Sequence, residues 1–476
     1  MEEKAMIESL KGYKNIILIT FLGVALRLID IARPFSGLYK WNEGHYAVTA
    51  LNYFRYGLLL PVNEYGVDLT TTPFYTWMVY LSFRIFGPFE WAARLPGLFF
   101  AAASIVLVYF ITEELYNRRA ATIAAFVAAS APGIVYYSRN VQLESPFTAF
   151  SLAALLFLLY YRKNGEHRFF LSSALSLSLA VFTKYVAILT LPALLWIWFE
   201  KEGRKDGKTE NRRLITYLAL PLLPAGIWAG LALLISPGLT TWYVSKPEAP
   251  WNAATMLFAL YSALANYIPQ DMGNHYYYPF LIVLPLLLTK MRRHAVMLIY
   301  TASWLTLIIA FPTFYLNNSY YHYPMLYGIA VLLGAAVAEV ETTLAGREKT
   351  RVKSALALVA VIMLVLSVHS YNTVFRSYYT DFSETTEPTP FYSARLVAAQ
   401  NTGKDFVVTD LPMSMFYLGG DPAQVKLAYT TQGLITATKS ERYTYVVPYY
   451  MGNYTLKSVL EEHGYTQIAP RAWKKK

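Results

Sequence analysis

The chain has 476 residues, of which 55% are hydrophobic, 16% aromatic and only 15% charged, with a formal net charge of +11 and no cysteine. So apolar a composition excludes an ordinary soluble enzyme and points to a polytopic membrane protein, and the missing cysteine excludes disulfides and thiolate chemistry. The basic residues fall between apolar runs rather than on one amphipathic face, so they set topology and give no case for nucleic acid.

In chain order, Met1 to Lys14 carries mixed charges without a small-residue cleavage site and reads as an uncleaved anchor. Runs long enough to cross about 30 Å of hydrocarbon follow near 14–32, 92–111, 120–137, 146–161, 169–183, 185–199, 214–235, 277–289, 295–315, 323–339 and 354–370, which makes about eleven crossings. Every second gap is basic: Lys4 to Lys14, Arg118/Arg119, Arg162 to Arg168, Lys201 to Arg213, Lys290 to Arg293 and Arg347 to Lys353. The positive-inside rule puts these gaps and the N-terminus in the cytoplasm of a multi-pass plasma-membrane protein. The first outer loop (33–91), the segments 138–145 and 316–322, the position of Lys184, the second outer loop (236–276) and the tail then face outward.

Helical apolar periodicity at 43–56, 74–86 and 252–268 predicts amphipathic helices lying on the outer membrane surface. A transmembrane domain is expected over 1–371 and a small extracytoplasmic α/β domain over 372–476. In the latter, Phe406–Thr409, Leu434–Thr436 and Tyr443–Val447 read as strands, and Leu456–His463 reads as a helix before Gly464. Asn317-Asn318-Ser319 and Asn453-Tyr454-Thr455 match the glycosylation acceptor pattern on the predicted outer side.

Ionisable residues beside a bilayer are costly and usually have a task. Glu43 opens the first surface helix and is the best catalytic candidate, placed to take a proton from an acceptor hydroxyl or orient a metal ion; a charge favoured by the helix dipole is the alternative. His45 and Tyr46 stand next to it and could bind the sugar or complete the proton path. Ser138 to Pro146 gathers Arg139, Asn140, Gln142 and Glu144, offering Glu144 as a second acid and Arg139 as an anion ligand, unless the two simply pair. Lys184 breaks the charge rule on the outer side, and a phosphate would explain it, as would a snorkelling lysine. Arg27 and Arg94 have Asp30 and Glu90 as nearby partners. His275 and His322, each followed by tyrosine and proline, invite a sugar or metal site, and Tyr323 accompanies the second; Glu43, Glu144, His275 and His322 are the possible ligands of a divalent ion. Aromatic belts account for the same pattern without one. No phosphate-cradling GxxxxGK[ST] loop, GxGxxG turn or HExxH helix is present.

In this order and topology, the motifs resemble the GT-C superfamily of membrane glycosyltransferases, and within it the protein O-mannosyltransferase and lipid A aminoarabinose transferase branch. Asn42-Glu43-Gly44-His45-Tyr46-Ala47 matches the branch's Asp-Glu-x-x-Tyr-Ala. Gly57, Pro61, Thr72-Pro73-Phe74, Phe86-Gly87, Arg94-Leu95-Pro96, Glu144-Ser145-Pro146 and Thr183-Lys184 follow in register over most of 14–340. The resemblance implies an inverting transfer of a sugar from a polyprenyl (dolichyl or undecaprenyl) phosphate carrier to a glycan, lipid or protein acceptor outside the cytoplasm. It makes the first-loop acid the base, with Asn42 among the substrate-binding residues. Two departures matter: Asn42 replaces the leading Asp, which passes its role to Glu43, and Thr72 replaces a lysine, which leaves Lys184 and Arg139 for the donor phosphate. The rival readings are a transporter or flippase of lipid-linked sugars, which should bury ionisable groups deep within several spans, and an inactive relative acting as an interaction protein.

Overall fold

A computed structural model describes residues 13–35, 39–200, 207–238, 251–343, 361–363, 365–370, 390–401, 405–410, 412–428, 430–439, 442–448 and 454–475. Most of the N-terminal anchor, the basic gaps at 201–206 and 347–353, much of the last predicted span, the expected boundary at 371/372 and the acceptor residue Asn453 lie outside the described residues.

The membrane part contains α1 (Lys14–Leu28), α2 (Lys40–Tyr56), a hairpin of β1 (Val62–Asn63) and β2 (Gly66–Val67), α3 (Phe74–Phe86), α4 (Glu90–Leu115), α5 (Arg118–Ser130), α6 (Pro132–Ser138), α7 (Glu144–Asn164) and α8 (His167–Thr183). It continues with a 3-10 turn at Tyr185–Thr190 and helices α9 (Leu191–Phe199), α10 (Gly207–Ile235), α11 (Ala253–Ser262), α12 (Ile268–Met272), α13 (Asn274–Thr289), α14 (Met291–Ala310), α15 (Pro312–Asn317) and α16 (Tyr323–Thr343), with a second 3-10 turn at Ser319–His322. The terminal part holds α17 (Pro390–Gln400), β3 (Val407–Thr409), α18 (Pro412–Tyr417), β4 (Val425–Leu427), α19 (Thr431–Lys439), β5 (Tyr445–Val447), α20 (Tyr454–Glu462), β6 (Tyr465–Ala469) and β7 (Ala472–Lys475).

Helices occupy the predicted apolar stretches from residue 14 to 339, and five of the described helices are by themselves long and apolar enough to cross a membrane, or six if α5 and α6 form one bent span. The others are shorter: Lys184 stops α8, and Pro279 and Pro285 lie inside α13. The chain is thus a multi-pass helical membrane protein. Helices α2, α3 and α11 fall where the periodicity put helices.

The 60° bend between α5 and α6 has a physical cause. Pro132 cannot continue the helical hydrogen-bond ladder, and the carbonyls released at the break need donors in an apolar bundle. Arg27 supplies them from α1: it donates to the Ala129 carbonyl at 3.0 Å and the Ala128 carbonyl at 3.3 Å, and to Ser138 Oγ at 2.7 Å. It does not pair with Asp30, which faces Arg33 at 3.8 Å instead. Helix α5 lies against α4 and α16, and small residues permit the approach: a Cβ on Gly334 would stand 2.5 Å from the Ala120 carbonyl.

The terminal part is a five-stranded mixed sheet in the order β4-β3-β5-β7-β6, parallel among the first three and antiparallel from β5 to β7 to β6. The expected strands at 406–409 and 443–447 and the helix before Gly464 are found. The expected strand Leu434-Ile435-Thr436 is instead part of helix α19, opened by Thr430, whose Oγ1 accepts from the Gly433 amide at 3.0 Å. Leu434, Ile435 and Thr438, spaced one and three residues apart, are buried on one helical face, and the first two join the small core around Val408, Val446 and Trp473. β4, β6 and β7 add strands that short, mixed segments did not announce.

This unit docks on the back of α2. A Cβ on Gly44 would stand 2.4 Å from the Met413 amide nitrogen. Asn52 Nδ2 donates to the Gly420 carbonyl at 2.8 Å, Arg55 Nη1 donates to the Gly419 carbonyl at 2.6 Å, and Tyr56 donates to Asp421 at 2.9 Å. Glu90 accepts from Tyr417 at 3.0 Å and from Arg395 at 2.5 Å, so it is not the partner of Arg94.

Candidate active site

A cavity of about 660 Å³ opens between α2, the loop around 65–72, the end of α8 and the 314–321 segment, a volume suited to a small-molecule or cofactor site. Helix α2 lines it with Trp41, Asn42, His45 and Tyr46. At about 100° per residue, these four positions span one side of the helix and turn the intervening Glu43 and Gly44 away.

Glu43 therefore does not line the cavity. It is 1% exposed, and its carboxylate takes a two-point grip from Arg94, Nε to Oε1 at 2.8 Å and Nη2 to Oε2 at 2.9 Å. The Val141 amide also donates to Oε1 at 3.1 Å. Arg94 further donates to the Ile31 carbonyl at 2.7 Å and to that of Arg33, and its guanidinium lies 5.2 Å from the Phe35 ring. The pair thus ties the end of the first span to α2, α4 and the 139–143 loop. In this geometry both Glu43 oxygens are held by Arg94 and the Val141 amide, away from the cavity where the sequence placed its catalytic use.

Glu144, 2% exposed at the start of α7, also lies behind the cavity wall. It holds Lys184, which does line the cavity, in an ion pair. The lysine ammonium also stands 3.9 Å from the Tyr321 ring centroid and 5.0 Å from that of Tyr320, a cation–π arrangement. Thr72 donates to the Thr183 carbonyl at 3.0 Å, fastening the first outer loop to the turn that presents the lysine. Asn42 and Tyr320 both line the cavity, and the Tyr320 hydroxyl donates to Asn318 Oδ1 at 3.0 Å. Arg139, which the sequence paired with Lys184 for the donor phosphate, is 2% exposed and absent from the lining.

Glu64, the partner of the cavity-lining His45, escaped the sequence reading. His45 Nδ1 lies 2.8 Å from Glu64 Oε1, with side-chain exposures of 9% and 0%. An ionised carboxylate can only accept, so Nδ1 carries the proton and Nε2 is left as the ring's acceptor. Burial works against the charged imidazole, but the Glu64 charge and hydrogen bond outweigh it, with Asp68 adding to them, and the His45 pKa rises above its ordinary 6.5. Asp68 also shapes the hairpin: its Oδ2 accepts from Asn63 Nδ2 at 2.7 Å and its Oδ1 from the Thr70 amide at 2.8 Å. The available signal was an acid in Asn63-Glu64-Tyr65-Gly66 on the same outer loop as His45.

The remaining expected residues fall elsewhere. His275 Nε2 lies 2.8 Å from Ser367 Oγ, and the Tyr323 hydroxyl lies 2.7 Å from that of Tyr327. His322 is fully buried, with Nε2 2.7 Å from Asp271 and Nδ1 2.8 Å from the Tyr315 hydroxyl. Among the described residues no group of three or more histidine, aspartate or glutamate side chains is placed to hold a metal ion. The expected set of Glu43, Glu144, His275 and His322 is not brought together, because each is taken by a different partner.

The model of the dolichyl-phosphate-mannose-protein mannosyltransferase family matches residues 70–228. An uncharacterized protein of Aquifex aeolicus is 30% identical over 162 residues, covering 33% of this chain and 32% of the relative, so the matched stretch spans about a third of that protein. ArnT from Cupriavidus metallidurans, solved bound to undecaprenyl phosphate, shares the fold with a TM-score of 0.68 at 14% identity over 97% of each chain. The oligosaccharyltransferase AglB from Archaeoglobus fulgidus, solved with an inhibitory peptide and a dolichol-phosphate, follows with a TM-score of 0.56 at 13% identity over 93% of this chain and 69% of that one. At such identities the likeness is one of fold, and it runs through the terminal sheet as well as the membrane bundle. The chain thus carries, over residues 70–228, a stretch similar to the dolichyl-phosphate-mannose-protein mannosyltransferase family, and it has the fold of ArnT and AglB.

Proposed function

We propose that the chain transfers a sugar from a polyprenyl phosphate carrier to an acceptor hydroxyl at the outer membrane surface, with inversion at the anomeric carbon. The observation that carries this reading is Lys184 on the cavity wall, held by Glu144 and the Tyr321 ring. A lysine ammonium has three donors, so an ion pair with Glu144 leaves others for a phosphate. Exposed apolar residues on the flank of the bundle, among them Leu222, Leu223 and Leu234 of α10, suit a lipid tail left in the bilayer. The aromatic side chains Trp41, Tyr46 and Tyr320 offer faces to the sugar ring.

In the reaction, the acceptor oxygen bonds to the anomeric carbon as the bond from that carbon to the phosphate oxygen breaks. The departing carrier gains negative charge, so Lys184 binds the transition state more strongly than the ground state, which raises the rate rather than affinity alone. The alternation of basic gaps supports an outward-facing cavity. No step is assigned to a metal ion.

The test is mass spectrometry of the purified protein after incubation with native membrane lipids. The expected result is a bound polyprenyl-phosphate sugar that disappears when glycan, lipid or protein acceptors are supplied. A carrier that binds and is never consumed would favour a flippase or an inactive relative, and no bound carrier would remove the donor class.

A further inference from the structure

We infer that His45, oriented by Glu64, is the base that deprotonates the acceptor; this rests on the transfer reaction proposed above. Among the described residues, the cavity lining includes no aspartate or glutamate. Asn42 is among the α2 residues that line the cavity, and an amide is no base, while the neighbouring carboxylate, Glu43, is gripped by Arg94 on the far side of the helix. Lys184 is committed to its ion pair with Glu144. Of the lining side chains, that leaves His45 as the one that ordinarily takes up and releases protons near neutral pH.

Its surroundings are those of an oriented base. Glu64 lies on the hairpin that closes over α2, fully buried and 2.8 Å from Nδ1, and it fixes the tautomer with Nε2 as acceptor. Asp68 braces the same hairpin through Asn63 and Thr70. The acceptor O–H proton passes to Nε2, the oxygen's electron pair forms the new bond to the anomeric carbon, and the pair from the broken bond leaves with the polyprenyl phosphate. The Glu64 carboxylate accepts from Nδ1 and stabilises the imidazolium until its proton is released to water. A buried carboxylate holding one imidazole nitrogen while the other works is a convergent solution to proton transfer.

The experiment uses the full chain in detergent or nanodiscs with a polyprenyl-phosphate sugar and its acceptor, comparing wild type, His45→Gln, His45→Ala with and without added imidazole, and Glu64→Gln. His45→Gln should lower kcat by about 10²- to 10⁴-fold with donor KM within about threefold. Imidazole should restore part of the His45→Ala loss, and Glu64→Gln should lower kcat by at least about tenfold. Wild-type transfer with His45→Gln turnover within about threefold would overturn the inference while leaving the transferase reading intact. A loss that imidazole does not restore and that comes with lost donor binding would make His45 structural and overturn it equally. No transfer by wild type despite bound donor would instead remove the reading on which the inference stands.

Discussion

Arg94 and Glu43 form a two-point ion pair, Nε to Oε1 at 2.8 Å and Nη2 to Oε2 at 2.9 Å, with side-chain exposures of 4% and 2%. Removing one partner of a buried pair leaves an uncompensated charge and costs about 3–5 kcal/mol. Arg94→Ala should therefore lower the thermal midpoint of the purified protein sharply, and Glu43→Gln should also lower it. Replacing both by methionine should recover part of the loss. If Glu43→Gln abolished transfer at unchanged stability, the carboxylate would act in catalysis and the structural role would be wrong.

Lys184 has one carboxylate partner and two tyrosine rings around its ammonium. A charge-assisted hydrogen bond contributes about 1.5–3 kcal/mol, so Lys184→Ala should weaken polyprenyl phosphate binding by roughly 10- to 100-fold, measured by calorimetry. Unaltered affinity would remove this lysine from the donor site.

Stability and turnover should respond to pH with opposite signs at His45. Burial opposes the charged ring, yet Glu64, with Asp68, carries its pKa above 6.5. The folded state therefore holds the proton more tightly than the unfolded chain. The pair's contribution to stability is complete below pH 6.5 and is lost as pH rises through the folded value, while turnover, which needs the neutral ring, rises over the same interval. Glu64→Gln should flatten the first dependence and move the second to lower pH. Thermal midpoints and kcat measured between about pH 5 and 9 read both, and parallel slopes would contradict the assignment.

Gly44 is where the terminal unit touches the helix that lines the cavity, and an added Cβ would meet the Met413 nitrogen at 2.4 Å and the Met413 Cα at 2.7 Å. These are backbone atoms that cannot swing aside, so overpacking of about 1–3 kcal/mol is expected. Gly44→Val should loosen the terminal unit, seen as faster limited proteolysis within 405–475. Protection equal to wild type would show that the junction yields.

Arg27 gives donors to two carbonyls left by the break at Ala131. In an apolar bundle, unsatisfied backbone groups cost several kcal/mol, so Arg27→Met should destabilise the protein more than Arg33→Met, whose partner Asp30 is an exposed one. Equal effects of the two would show that the break needs no outside donor.

The sequence by itself determined the helical membrane class, where most of the described helices lie, and two of the five strands of the terminal sheet, because apolar run length and period are local properties that the lipid and the core read directly. Leu434–Thr436 shows the limit of that locality: a three-residue apolar run fits a strand or one helical face, and contact with Val408 and Val446 settled it. Glu43, Lys184 and His45 were visible as polar residues beside apolar runs, but their partners lie 51, 40 and 19 residues away. Only the tertiary structure decided that Arg94 takes Glu43 out of the cavity while Glu144 and Glu64 support the cation and the imidazole that line it. The reason is physical: a charge near a bilayer takes whichever partner the fold brings within hydrogen-bond reach, and the sequence distance between them carries no information about that choice.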